Sequence, residues 1–346
     1  MAVLITGASG FIGSQLVGRL ARAGAQVRAL VRRGLTGPAS PNTDRWRGDV
    51  TDLDSLRAAT VGCDLVFHCA WGGSTLDEAR RINVEGTRNV IAAAAAAGVR
   101  RVVHLSSMAV HGYRLPPRLT EDAPLDLHSD AYGISKAEGE IAAFELGRTL
   151  GVEVVALRPP LVYGPRAPLW LLAYCERVKN EQVALIDGGS GLVNLVYVDD
   201  LVDAMLLAAE RPNVSGEAFL ISGAHPVPWR DYLGHFARMC GKPLPASVPL
   251  WRAKIEVQWL RVYGTLAQRP RRLQGMDLNL MTQRTEVSID KARRLLGYTP
   301  RVSLAAGMGR CEQWLRQQGY LPPILGGAEQ EEAATVASRK RRASGA

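Results

Sequence analysis

Gly7-Ala8-Ser9-Gly10-Phe11-Ile12-Gly13 follows directly on the apolar run Val3-Leu4-Ile5. It precedes a stretch with Phe11, Ile12, Leu16, Val17 and Leu20 at helical spacing, closed by Gly24. Strand, glycine turn and helix in that order are suited to holding phosphate. Gly7, Gly10 and Gly13 permit a tight turn and a close approach of backbone to ligand. The start of the helix then presents free N–H groups and a partial positive charge. Gly7, Ser9, Gly10, Phe11, Ile12 and Gly13 are therefore expected to cradle the pyrophosphate of a dinucleotide.

Outward from this motif the pattern repeats. Strands are expected at Val27–Val31, Asp64–Cys69, Arg101–Ser106 and Val152–Leu157, with helices at Ala79–Ala97 and Asp130–Leu150. The Ala92–Ala97 run offers a smooth face for close helix-on-sheet packing. Such alternation predicts an α/β fold, a doubly wound parallel sheet of Rossmann type with helices on both faces and ligands at the carboxyl ends of the strands. Residues 1–160 read as the dinucleotide-binding core. Residues 161–325 read as a smaller, mixed substrate-binding region, with strands at Leu195–Val198 and Ala218–Ile221. Its helices are expected at Asp199–Glu210, Trp229–Cys240, Trp251–Leu266 and Leu304–Gln318. Residues 326–346 have no apolar periodicity and read as a disordered tail.

The 346 residues are 47% apolar, enough for a sizeable core. The net charge is +9, but the basic residues are scattered and no nucleic-acid motif accompanies them. Anionic cofactors and small-molecule substrates account for that balance, and no nucleic-acid partner is expected. No apolar run is long enough to span a membrane, and no signal peptide precedes the first strand. Five cysteines, widely spaced and without a CxxC pair, suggest reduced thiols and no metal in a cytoplasmic protein.

The end of the second strand bears on the choice of dinucleotide. An acidic residue there would bind the ribose 2′-hydroxyl of NAD. The chain has Val31 followed by Arg32 and Arg33, and arginine suits a 2′-phosphate. This favours NADP(H), while NAD(H) stays open. Asp49 is placed either to meet the adenine amino group or to close a turn.

A second constellation carries chemistry. Tyr132 and Lys136 lie four apart on a predicted helix and share a face. A tyrosine is a poor base at neutral pH. A lysine charge ~4 Å away, at an effective dielectric of about 20, contributes about 4 kcal/mol, or about three pKa units. Tyr132 is thus a candidate general acid or base, with Lys136 also holding the nicotinamide ribose. Ser107, just past a strand end, can orient the substrate oxygen.

In these features the chain resembles the extended short-chain dehydrogenase/reductase family, also called the NAD-dependent epimerase/dehydratase family, over roughly residues 2–320. The resemblance rests on the glycine motif, Gly48-Asp49-Val50, His68-Cys69-Ala70, Asn83-Val84-Glu85-Gly86-Thr87, Ser106-Ser107, Tyr132-x-x-x-Lys136, Leu157 through Pro165, and Val198-Asp199-Asp200. It implies a catalytic set of Ser107, Tyr132 and Lys136, cofactor contacts from Asp49, Val50 and Ala70, and a homodimer. Relatives acting on nucleotide sugars often carry Asn at the place of Leu161 and Arg near Val193. Both polar anchors are missing here.

The chain looks closer to the 3β-hydroxysteroid-dehydrogenase-like and dihydroflavonol-reductase-like branch. That implies an NAD(P)-dependent oxidoreductase interconverting a secondary alcohol and a ketone on a small, partly apolar substrate. The alternatives are a nucleotide-sugar epimerase or dehydratase that recycles bound NAD, and a non-catalytic NAD(P) sensor. Trp71 stands where the family has a small residue, and either stacks on a ring substrate or simply packs. His68 and His111 are expected to be structural.

Overall fold

The computed structural model describes residues 2–32, 42–263 and 277–323. Arg33 and residues 326–346, each given a role above, lie outside the described residues.

Seven parallel strands form the central sheet: β1 (Ala2–Thr6), β2 (Gln26–Val31), β3 (Thr43–Arg47), β4 (Leu65–His68), β5 (Arg101–Leu105), β6 (Glu153–Arg158) and β7 (Ala218–Leu220). Their order is β7-β6-β5-β4-β1-β2-β3, so the direction of winding reverses between β1 and β4. A doubly wound sheet opens its ligand crevice at that switch point.

Alternation along β1 shows how both faces are covered. Val3 and Ile5 enter one apolar cluster and Leu4 enters the other. Helices α1 (Phe11–Arg22) and, later, α7 (Val198–Glu210) pack on the first face. On the second lie α2 (Leu53–Thr60), α4 (Gly86–Ala96) and α5 (Ala131–Leu150). Ala93 and Ala94 are fully buried, as the smooth alanine run predicts.

The expected elements appear with ends shifted by a residue or a few, except that the expected end of the helix from Trp251, at Leu266, lies outside the described residues. One differs in kind. Between α3 (Leu76–Arg80) and α4 the chain does not continue as α-helix but makes a π-helical turn, Arg81–Glu85. β3 was not expected at all. Thr-Asp-Arg-Trp-Arg has no alternation of apolar residues, and it forms an exposed edge strand in register with Val27–Val31.

After β6 the chain leaves the sheet and returns once, through β7. The remaining segments lie over the carboxyl ends in short paired pieces. Leu161–Tyr163 runs parallel to Leu195–Tyr197, and Arg118–Leu119 pairs with Glu286–Val287. A π-helical turn, Pro168–Ala173, leads into α6 (Tyr174–Lys179). Helix α8 (Trp229–Met239) packs against α6, and α9 (Leu250–Tyr263) and α10 (Leu278–Thr282) follow. The stretch 277–283 is pinned by Leu192 N donating to Gln283 O (2.7 Å) and Trp229 Nε1 donating to Leu280 O (3.1 Å). That pinning carries residues from late in the sequence to the crevice. Helices α11 (Asp290–Leu296) and α12 (Leu304–Gln317) complete the described chain. No helix among the described residues is long and apolar enough to cross a membrane.

Candidate active site

Three adjoining cavities run along the carboxyl ends of the strands. The first, about 330 Å³, is lined by Gly7, Ser9, Gly10, Leu30, Arg32, Asp49, Val50 and Ala70, among others. Gly7 has φ +65°, and a Cβ there would come within 2.7 Å of the Ala70 nitrogen and the Cys69 carbonyl carbon. A Cβ on Gly13 would lie 2.2 Å from Gly7 O. The turn therefore requires glycine at both positions and leaves a cradle of bare backbone. Gly10 caps α1 without a side-chain hydrogen bond, and the first turn holds no acidic residue. The donors at the helix start stay available to an anion. This donor set fits a dinucleotide pyrophosphate.

Among the other expected contacts, Ala70 N donates to Thr6 Oγ1 (3.3 Å), and Val50 is buried with its carbonyl accepting from Asn89 Nδ2 (3.0 Å). Asp49 closes a turn: its Oδ1 accepts from both the N–H and the hydroxyl of Thr51 at 2.9 Å. It still lines the cavity. Arg32 is exposed at the same wall, beside β2, whose last residue is Val31.

The second cavity, also about 330 Å³, continues from the glycine turn through Phe11, Ile12 and Gly13 to Ser106, Ser107, Tyr132 and Lys136. The third, about 400 Å³, begins at Ser107 and Tyr132 and extends among Trp71, Met108, Tyr113, Leu161, Leu169, Trp170, Asp277, Leu280 and Gln283. Ser107 and Tyr132 thus stand on the boundary between the two. So does Trp71, whose ring meets the Tyr132 ring edge-on at 5.5 Å and which lines all three cavities.

Ser107 occupies its place because β5 ends at Leu105 and a 3-10 turn, Met108–His111, begins immediately after. Its Oγ caps that turn by accepting from Ala109 N (3.1 Å) and also hydrogen-bonds the Tyr132 hydroxyl. Asp130 caps α5 through Gly133 N (2.8 Å), which sets Tyr132 and Lys136 in the first two turns. Asn83, in the π-helical turn, accepts from Gly72 N (3.0 Å) and donates to Gly72 O (3.2 Å) and Ser135 Oγ (2.9 Å). The loop carrying Trp71 and the helix carrying Tyr132 are thereby tied together.

The electrostatics differ from the sequence expectation. Burial pushes the Tyr132 hydroxyl above its usual range, opposed by the hydrogen bond with Ser107, and Lys136 is not among the groups that act on it. The Lys136 ammonium donates instead to Leu105 O at 2.5 Å. It is buried, which lowers its pKa to about 8 against the favourable charge of Glu140. The cause is geometric: the ammonium is engaged by the Leu105 carbonyl.

Beneath Lys136 lie His68 and His104, rings 5.3 Å apart and both kept neutral by burial. His68 bridges Thr6 and Thr87, a structural role as expected. His111 is likewise structural. Its Nδ1 lies 3.1 Å from Pro124 O, and its Nε2 lies 3.2 Å from Arg158 Nη1. Val193 is buried in a short strand pair away from the cavities, and Leu161 faces the third one.

Sequence reasoning did not find Tyr113, Trp170, Asp277, Leu280 or Gln283. No local pattern marks them, because long-range packing alone brings them to the wall. Asn83 was quoted only as part of a motif. Among the described residues, no group of three or more His, Cys, Asp or Glu is arranged to hold a metal ion.

Residues 3–222 match the NAD dependent epimerase/dehydratase family. The chain is 30% identical to the 2-alkyl-3-oxoalkanoate reductase of Stenotrophomonas maltophilia, with 90% of this chain and 98% of that protein covered. It is 29% identical to the 3-beta-hydroxysteroid dehydrogenase of Mycolicibacterium neoaurum, covering 89% and 90%. Its fold is similar to that of the dTDP-glucose 4,6-dehydratase of Streptomyces venezuelae, solved with NAD bound (TM-score 0.73, 27% identity, 93% and 99% covered). A glycine cradle at a parallel-sheet switch point, leading to a serine, a tyrosine and a lysine in one cavity, agrees with those matches: the chain belongs to the NAD-dependent epimerase/dehydratase family and is an NAD(P)-dependent enzyme.

Proposed function

We propose that this enzyme is a net oxidoreductase, preferring NADP(H), that interconverts a secondary alcohol and a ketone on a small, largely apolar substrate. The wall of the third cavity carries this reading. Its described lining includes Trp71, Met108, Leu161, Leu169, Trp170 and Leu280, no lysine or arginine, and one carboxylate, Asp277. A nucleoside diphosphate would bring negative charge that calls for Arg or Lys partners. A carboxylate in an apolar wall disfavours it. The names of the reductase and hydroxysteroid dehydrogenase relatives support the same reading. Free thiols at all five cysteines support a reducing, cytoplasmic setting.

In this reading Gly7, Gly10 and the start of α1 hold the pyrophosphate, Arg32 the 2′-phosphate, and Asp49, Val50 and Ala70 the adenosine end. The nicotinamide supplies the hydride acceptor or donor when bound. Ser107 orients the substrate oxygen, and Tyr132 gives it a proton in reduction or removes one in oxidation. Lys136, which lines the second cavity, would hold the nicotinamide ribose. The segments after residue 160 form the substrate-binding part.

Purified enzyme is expected to consume NADPH with apolar ketones and to release no tightly held nucleotide on denaturation. Stoichiometric NAD in the denatured supernatant, with nucleotide sugars turned over at no net cost in cofactor, would overturn the proposal for the epimerase/dehydratase alternative. Charge-assisted hydrogen bonds contribute about 1.5–3 kcal/mol. Arg32→Asp should therefore reduce the preference for NADPH over NADH by at least about tenfold in kcat/KM.

The lysine adds a pH signature. Below about 8 Lys136 is charged, and above it the charge is lost. The reductive kcat/KM is expected to fall as pH rises through that value. Stability moves the other way. The folded pKa lies below the ordinary 10.5, so the unfolded chain binds more protons between about 8 and 10.5. The wild type should gain stability over that window relative to Lys136→Met, measured by denaturant unfolding.

A further inference from the structure

Away from the cleft, two thiols face each other across a helix pair. Cys175 on α6 is buried, and Cys240, which caps the end of α8, is half-buried. Their sulfurs are 3.9 Å apart, and the Cys240 sulfur is also 4.0 Å from Cys175 O. An S–S bond is about 2.05 Å long, so a movement of roughly 2 Å would close it. The other three cysteines are buried, and no hydrogen bond joins any of them to a second thiol.

We propose that Cys175 and Cys240 form a redox-sensitive dithiol that closes to a disulfide on exposure to a peroxide, clamping α6 to α8 and shifting the Trp170 wall of the substrate cavity. The two thiols are unequal in the way such a reaction needs. The contact with Cys175, together with the charges of Lys179 and Arg316, lowers the Cys240 thiol against burial and the Glu176 carboxylate. The same contact and burial raise Cys175. Cys240 is also the thiol that solvent reaches. In the first step the Cys240 thiolate attacks one oxygen of hydrogen peroxide. The O–O bond breaks, hydroxide leaves, and the sulfur, oxidised by two electrons, becomes a sulfenic acid. In the second, the Cys175 sulfur attacks that sulfur, the S–O bond breaks, and hydroxide departs with the Cys175 proton as water. Two thiols and one peroxide give one disulfide and two waters.

The link to the cavity is an aromatic column. Trp170 stacks on Tyr174 (5.7 Å, 21°), and Tyr174 on Trp229 of α8 (5.8 Å, 30°). The Tyr232 hydroxyl donates to Trp170 O. Tyr174 immediately precedes Cys175, so drawing α6 toward the end of α8 moves the column with it.

The test is stepwise hydrogen peroxide on the full-length protein, followed by alkylation and peptide mapping. The expected product is one cross-linked peptide pair joining Cys175 and Cys240, reversed by dithiothreitol, with Cys63, Cys69 and Cys311 still alkylated. Intrinsic fluorescence should change in step, and by less in Trp170→Phe, where only Trp229 of the column still reports. In Cys175→Ser, Cys240 is expected to proceed to sulfinic acid. In Cys240→Ser, Cys175 should stay reduced. Overoxidised Cys240 beside a free Cys175 in the wild type, or a bridge between two chains, overturns the proposal. A bridge that leaves the fluorescence unchanged overturns its link to the cavity.

Discussion

Tyr132→Phe is expected to lower kcat by about a thousandfold, within the range of positioned acid–base catalysis, and to leave NADPH affinity within about twofold. The reason lies in where the hydroxyl sits. It is hydrogen-bonded to Ser107 at the boundary between the cavity that the glycine turn opens and the apolar one. The phenyl ring keeps the edge-on contact with Trp71 and removes only the proton carrier. Burial holds the Tyr132 hydroxyl above its ordinary range, so it is a stronger candidate for giving a proton to an alkoxide than for taking one at neutral pH. The reductive direction should therefore outrun the oxidative one until the pH is raised. Steady-state kinetics with fluorescence titration of NADPH measures both quantities. Turnover kept within tenfold would remove Tyr132 from the chemistry.

The second large effect concerns stability. Glu140 and Arg158 are 1% and 7% exposed and form a two-pronged ion pair, with Nε at 3.1 Å from both carboxylate oxygens and Nη2 at 2.5 Å from Oε1. Arg158 also reaches His111 and Glu121 O. Removing one member of a buried pair leaves an uncompensated charge and typically costs about 3–5 kcal/mol. Glu140→Gln should fall near the low end, since its amide can still accept from the guanidinium. Glu140→Gln with Arg158→Met should recover part of the loss in a double-mutant cycle by denaturant unfolding. Additivity of the two single changes would show that the pair is not coupled. Glu140 also sustains the charge on Lys136. Its loss should move the basic limb of the activity profile below about pH 8.

Much of the nucleotide side of the site was legible in the sequence because its chemistry is local. Gly7 to Gly13 needs one turn, and Tyr132 with Lys136 needs one helix face. The substrate wall was not legible. Asp277 and Gln283 share a cavity wall with Tyr132 only because 277–283 is pinned to residues 192 and 229. β3 escaped notice because an edge strand needs hydrogen bonds along one side and little apolar surface. The Tyr132–Lys136 spacing was read correctly as a shared face. It could not reveal that Lys136 would turn to the Leu105 carbonyl.

The π-helical turn at Arg81–Glu85 has an evolutionary corollary. Such a turn amounts to one residue inserted into an α-helix. Deleting one residue there would restore regular α-helix and rotate everything on one side by roughly 100° relative to the other. Asn83 could not then face Gly72 and Ser135 together. Gly139, where a Cβ would fall 2.4 Å from Asn83 O, lets α5 rest directly on that turn. Changes of length should therefore be tolerated in the loops around this helix and selected against within it.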